Sequence, residues 1–99
     1  MAYRVIWSPK ALDDVDAIAA YIFRDSASFA ATVVQKILDS SYKLSKRPLS
    51  GSIVPEFSDE SIRELSAHTY RIIYRIQGES VTVAAVIHGK RLLAKLEMD

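Results

Sequence analysis

Ninety-nine residues, 49% of them hydrophobic and 25% charged, have the composition of one ordinary globular domain with a single continuous core. A formal charge of +1 excludes the low-hydrophobicity, high-charge regime of disordered chains and makes no case by itself for a nucleic-acid partner. The longest apolar run, Ala17 to Phe23, is far short of the ~20 residues that cross a bilayer, and the absence of cysteine excludes disulfides, thiolate metal sites and a cysteine nucleophile.

In chain order, residues 3–7 (Tyr-Arg-Val-Ile-Trp) read as a short strand rich in aromatic and β-branched side chains. Ser8-Pro9 starts a helix, serine as N-cap and proline at the first helical position. Asp13, Asp14 and Asp16 sit near that N-terminus, where the helix dipole favours negative charge. Leu12, Val15, Ile18 or Ala19, and Ile22 form an apolar stripe through a helix ending near Arg24. After the turn Asp25-Ser26-Ala27-Ser28, a second helix places Phe29, Val33 and Ile37, with Ala30, Val34 and Leu38, on one side. Lys43, Lys46 and Arg47 close it as cations at the dipole's negative end, and Pro48 forbids continuation. So short a connection between amphipathic helices implies an antiparallel hairpin.

Pro48, Gly51 and Pro55 then punctuate a serine-rich loop over 48–61, with Glu56, Asp59 and Glu60 as an acidic patch. Beyond it the period becomes two. Ile62 to Ser66 is a strand. Tyr70 to Ile76 alternates, with Tyr70, Ile72, Tyr74 and Ile76 on one face and Arg71, Ile73 and Arg75 on the other. Gln77-Gly78-Glu79-Ser80 turns the chain, and Val81 to His88 returns as a hairpin partner. Gly89 ends it, and Leu92, Leu93 and Leu96 suggest a short C-terminal helix. The expectation is one α+β domain over 1–99, ordered β-α-α-β-β-β, with the helical hairpin packed on a mostly antiparallel sheet.

Charge is unevenly spread. Residues 1–40 hold four Lys/Arg against five acids, whereas residues 61–96 hold six against two, and Lys43, Lys46 and Arg47 add to the basic side. Such a bias steers an anionic partner, or simply solubilises exposed faces. His68 and His88, twenty residues apart, form no ligand signature, so no metal is expected. The sequence also lacks a Gly-x-Ser-x-Gly elbow and a glycine-rich phosphate loop, so neither a serine nucleophile nor a nucleotide cofactor is expected. Cleavage of RNA through its own 2′-hydroxyl needs a base, an acid and cations for the phosphorane. Glu56 and His88 are candidates for the first two, and Arg63, Arg71 and Lys90 for the third. Competing readings make Glu56 a solvated charge, His88 a structural hydrogen-bonder, and Arg63 and Arg71 cross-strand partners of Glu64 or Glu79. The residue types permit the chemistry without establishing it.

Five segments, in order, carry a family resemblance. Trp7-Ser8-Pro9-Lys10-Ala11-x-x-Asp14 with Ile18, Tyr21 and Ile22 resembles the opening of the RelE/ParE toxins of bacterial type II toxin–antitoxin modules, the plasmid stabilisation proteins. Arg47-Pro48-Leu49-Ser50-Gly51 with Val54-Pro55-Glu56, then Ile62-Arg63-Glu64-Leu65, resembles their middle, and Tyr70–Ile76 and Val86–Arg91 their final strands. The first residues, Met1-Ala2-Tyr3-Arg4-Val5, lack the apolar stretch of a signal peptide, so a cytoplasmic protein without a cofactor is expected, and the resemblance implies a toxin with a small antitoxin partner encoded alongside. RelE-like members cut messenger RNA on the ribosome; ParE-like members poison DNA gyrase. By motif position Arg63 and Arg71 fall on phosphate-contacting arginines of the RelE-like enzymes, and His88 near their C-terminal acid. Gly89, however, stands where some of those nucleases carry an aromatic residue, and no tyrosine or phenylalanine follows Tyr74. The long hairpin and the lysine-poor loop also differ, so the resemblance favours the ParE branch, with mRNA cleavage as the alternative. For antitoxin binding, Tyr21, Phe23, Phe29 and Tyr42 lie outside the main stripes and are expected to form an exposed apolar groove, with Arg71, Arg75, Lys90 and Arg91 as a cationic rim. The alternative is that these aromatics fill the core.

Overall fold

In the computed structural model residues 2–91 are described. The elements are β1 (Arg4–Trp7), α1 (Pro9–Phe23), α2 (Ala27–Tyr42), β2 (Ser52–Ile53), β3 (Ile62–Ala67), β4 (Tyr70–Gln77) and β5 (Ser80–His88). The strands form one sheet in the order β1-β5-β4-β3-β2, with β1 parallel to β5 and every other pair antiparallel. The α+β class and the helical hairpin on a mostly antiparallel sheet are as the periodicities predict. The two-residue edge strand β2 is additional; it pairs Ser52 with Glu64 and Ile53 with Arg63, inside a segment whose proline and serine content reads as loop. The C-terminal helix expected at Leu92, Leu93 and Leu96 lies outside the described residues.

The core stripes keep Val15, Ile18, Ile22, Val33 and Ile37 of the sequence reading and differ at their N-terminal ends. On α1 the buried residues are Ala11 and Val15, with Ile18 and Ile22 packed beside them, while Leu12 is 52% exposed. On α2 they are Ala30, Val33, Ile37 and Ser41, and Phe29 is exposed. Small residues thus face the sheet, which lets both helices approach it, and Ala67, Ile72, Val83 and Val86 complete this main cluster. A second cluster covers the opposite face, where Val54 and Phe57 of the loop pack on Ile62, Ile73, Ala85 and Ile87.

Two expected helix-end effects are corrected. The aspartates lie beyond the first turn of α1, and α2 ends at Tyr42, so Lys43, Lys46 and Arg47 follow it rather than close it. Asp14 instead serves the sheet. β1 pairs with β5 only as far as Trp7–Val83 and then turns into α1, leaving the next stretch of β5 without a strand neighbour on that side. Ser8 N–H donates to the Val83 carbonyl (3.0 Å), Ser8 Oγ donates to the Ala84 carbonyl (3.2 Å), and Asp14 Oδ2 accepts from Val86 N–H (2.9 Å). The same Ser8 Oγ caps α1 by accepting from Ala11 N–H (3.1 Å). Ala84 is also a bulge: Ile73 faces Ala85 while Tyr74 faces Val83. The extra residue inverts the alternation, so Val81, Val83 and Val86 all reach the helix side while Ala85 and Ile87 point the other way.

Tyr74 is fully buried between Leu44 and Val81. Its hydroxyl donates to the Pro48 carbonyl (2.7 Å) and accepts from Gly51 N–H (3.0 Å), tying the turn after α2 to the middle of the sheet. A Cβ at Gly51 would collide with that hydroxyl and with the Glu64 carbonyl, so only glycine fits there. Burial pushes the phenol above its usual range, against the opposing pull of Gly51 N–H and nearby Arg63. Tyr74→Phe orphans a buried donor and acceptor and should cost about 1–3 kcal/mol in urea denaturation. Because the folded phenol resists ionisation, its contribution is complete below the unfolded pKa of about 10 and fades as pH rises past it. The wild type's lead over Tyr74→Phe should therefore shrink in alkali.

Candidate functional site

Alternation along β4 places Arg71 on the face away from the helices, at the end of the sheet where β3 turns into β4. The Arg71 side chain is nine-tenths buried, and four of its five N–H donors are engaged. Nη1 and Nη2 donate to the two carboxylate oxygens of Glu56 (both 2.9 Å), Nε donates to Glu64, and Nη1 also donates to the Arg91 carbonyl (2.9 Å). The Glu56 hydrogen bonds, helped by Glu64 and opposed by burial, raise the guanidinium pKa. Glu56 is therefore not the solvated charge its acidic loop suggests: it reaches back fifteen residues to clamp the loop onto the sheet. Of the expected partners of Arg71, Glu64 is used, and Glu79 lies at the far end of β4. A cavity of about 500 Å³ opens beside the clamp, lined among others by Pro55, Ser66, Thr69 and Gly89. With two carboxylates around one arginine, its floor carries a net negative charge.

Arg63 is elsewhere. It pairs across the sheet with Tyr74, three residues from Arg71 along β4, and so stands on the opposite face. There Nη1 donates to the Gly51 carbonyl (2.9 Å) and Nε to the Glu60 carbonyl (3.0 Å), which holds the loop rather than an external anion. His88 pairs with Tyr70 and packs edge-on to its ring, 6.0 Å between centroids, on the helix side of the sheet. It belongs to a row of rings, Phe29–His68–Tyr70–His88, spaced 5.3, 6.4 and 6.0 Å. His68 heads the β3–β4 turn in a left-handed conformation (φ 57°). Lys90 and Arg91 are exposed beyond β5, and Lys90 N–H donates to His88 Nδ1 (3.3 Å). The fold thus unites Glu56 with Arg71 but separates both from Arg63 and His88.

On the hairpin, Tyr21 (68%), Phe23 (63%), Phe29 and Tyr42 are all exposed, Phe29 beside His68 at the sheet's end, so the core-filling alternative is excluded. Phe23 alone of the four lines a groove of about 540 Å³ between the helices, whose walls are Ala19, Ala20, Ala27, Ala31 and Val34. The signal for it was the run of alanines at the facing ends of both helices, whose small side chains leave room for another apolar surface. Tyr42 lies at the other end of α2, some 20 Å away at 1.5 Å per residue.

A paired-helix layer on a twisted five-stranded sheet with one parallel edge defines a small α+β toxin scaffold. The model for the ParE toxin of the type II toxin–antitoxin system parDE matches residues 5–93, and the chain belongs to that family. Solved structures agree in fold. A chromosomal ParDE system from P. aeruginosa superposes with a TM-score of 0.72 at 21% identity, over 88% of this chain and 96% of that one. The toxin–antitoxin complex RelBE2 from Mycobacterium tuberculosis gives 0.64 at 22% identity (89% and 92% covered), and a mutant of the E. coli toxin RelE in the free state gives 0.65 at 17% (91% and 86%). A comparison with curated proteins finds no match. Among the described residues no helix is long and apolar enough to cross a membrane.

Removing Arg71 leaves two carboxylates facing each other without a cation. Arg71→Ala should destabilise the protein by about 2–4 kcal/mol, discounted slightly from a fully buried pair because the glutamates are partly solvated. Thermal denaturation checks this, and a triple variant that also replaces Glu56 and Glu64 by glutamine should recover part of the loss.

Proposed function

We propose that this toxin arrests growth in the cytoplasm by binding DNA gyrase, as the resemblance to the ParE branch implies, and that a co-encoded antitoxin neutralises it. The observation that carries this reading is the divergence of the groups a ribonuclease would need together. Catalysis by general acid and electrostatic stabilisation requires donors within about 3 Å of one reacting phosphate. Here Arg71 is clamped by Glu56 and Glu64, Arg63 is bonded to backbone carbonyls on the other face, and His88 stands on the face opposite Arg71. In the alternative, ribosome-dependent cleavage of mRNA, Arg63, Arg71 and His88 would act with Glu56 and Lys90, which demands opening the clamp and rebuilding both sheet faces. Induction of the protein should stop growth with an SOS response and gyrase-linked DNA breaks, and His88→Ala should arrest growth as strongly as the wild type. Cut polysomal RNA, abolished by His88→Ala, would instead establish the nuclease.

The antitoxin is proposed to lay an amphipathic helix into the hairpin groove, its apolar face against Phe23 and the alanines, with Tyr21, Phe29 and Tyr42 as flanking contacts. Arg75, Lys90 and Arg91 remain available to an acidic segment, whereas the charge of Arg71 is already offset internally. Mixing the toxin with the product of the adjoining reading frame should raise its thermal midpoint by several degrees and shift its elution volume. Phe23→Glu should abolish most of that rise while leaving the free toxin's midpoint within a few degrees of wild type, since Phe23 is exposed.

A further inference from the structure

Lys43, Lys46 and Arg47 are the part of the charge pattern that neither the clamp nor the hairpin groove uses. All three are exposed directly after α2, and none lies within ion-pair distance of a carboxylate among the described residues. Lys46 and Arg47 border a hollow of about 570 Å³ whose apolar side is Tyr3, Pro48, Leu49 and Ile76. Leu49 is 66% exposed there, a branched apolar side chain presented to water beside two cations. The hollow is also pre-organised. Tyr3 N–H donates to the Ser45 carbonyl (2.7 Å), and the Tyr74 hydroxyl holds the Pro48 carbonyl, so both walls are fixed before anything binds.

An apolar floor with a cationic rim selects a peptide bearing an apolar side chain next to carboxylates. A nucleic-acid backbone would use the cations but gain nothing from covering Leu49 and Ile76. Ala31 and Gln35 line both the hairpin groove and a second hollow that runs along α2 past Lys36, Asp39 and Ser40 to Lys43, three residues before Lys46 of the Leu49 hollow. From Ala31 to Lys43 is about 18 Å along the helix, which some six extended residues span.

We propose that the Leu49 hollow is a second anchor for the antitoxin, taking an acidic–apolar segment that lies outside the helix filling the hairpin groove. This rests on the antitoxin reading above. The groove then supplies contact area, and the hollow supplies electrostatic capture and register.

The test uses the full-length toxin and the purified product of the adjoining reading frame, with association and dissociation rates measured at low and high salt. Wild type should associate faster at low salt. Lys46→Glu with Arg47→Glu should slow association ~10-fold or more and flatten the salt dependence. Leu49→Ser should leave association nearly unchanged and speed dissociation ~10-fold. These side chains are exposed, so the variants should keep the wild-type thermal midpoint; the salt dependence of the wild type is a readout that needs no variant. Wild-type rates in both variants, or salt-independent association of the wild type, would overturn the second anchor while leaving the groove intact. Variants that bind normally but no longer arrest growth would assign the hollow to the toxin's target and overturn it equally. If the wild type itself does not bind, the antitoxin reading fails and this inference with it.

Discussion

The short reach of β1 is the constraint on which this fold turns. Four residues pair with β5 and then the chain must leave, exposing the edge of the central strand pair in the middle of the molecule. An unsatisfied buried backbone group costs as much as a lost hydrogen bond, so the departing segment itself has to replace the missing strand. Ser8 and Asp14 do this from α1, six residues apart on consecutive turns, and Ser8 caps the helix with the same oxygen. The helix cannot tilt away without orphaning Ala84 and Val86, nor can the bulge at Ala84 slip without losing both serine contacts. The position of the hairpin over the sheet follows, and with it the groove on its outer side.

On the far face the organising element is Arg71. A guanidinium with five donors in a fixed fork can hold an external phosphate or an internal carboxylate pair, but not both at once. Glu56 and Glu64 occupy it, so the residue stabilises the loop over 52–61 instead of presenting charge. The end of the loop is fixed separately. Ser61 donates its hydroxyl and its N–H to Asp59 Oδ1 (2.7 and 2.9 Å), which holds the Asp59 carboxyl below its usual range. A loop held at both ends, with Val54 and Phe57 as its apolar underside, closes the second core cluster. A molecule so arranged is rigid where a nuclease would need open cations, and offers its exposed apolar side chains on the helices and on the turn after α2.

The sequence was most informative where period and punctuation agree. Ser8-Pro9 marked the helix start, the period of two from Tyr70 marked β4, and Gln77–Ser80 marked the tight turn; the fold class followed from them. The candidate site was only partly legible. Glu64 as a partner of Arg71 could be read from cross-strand pairing, but Glu56 could not, because a proline- and serine-rich loop carries no periodicity to say where its side chains return. Arg63 and Arg71 look equivalent by motif position, yet eight residues and a two-residue turn place them on opposite faces of the sheet.

By itself, then, the amino-acid sequence determined both helices, the four longer strands, their order and the α+β class, but not the edge strand β2, since helix capping, turn chemistry and alternation are local and act within a few residues. That Tyr21, Phe23, Phe29 and Tyr42 stay exposed rather than fill the core was decided by the structure. Only the tertiary structure decided which face each charge occupies, that the core stripes run through Ala11 and Ala30 rather than Leu12 and Phe29, and that Arg71 is neutralised from within. Those outcomes depend on a bulge at Ala84, on the close approach of alanine-faced helices, and on a loop folding back over the sheet. Each is a contact between residues far apart in the chain, whose free energy exists only once the fold has brought them together.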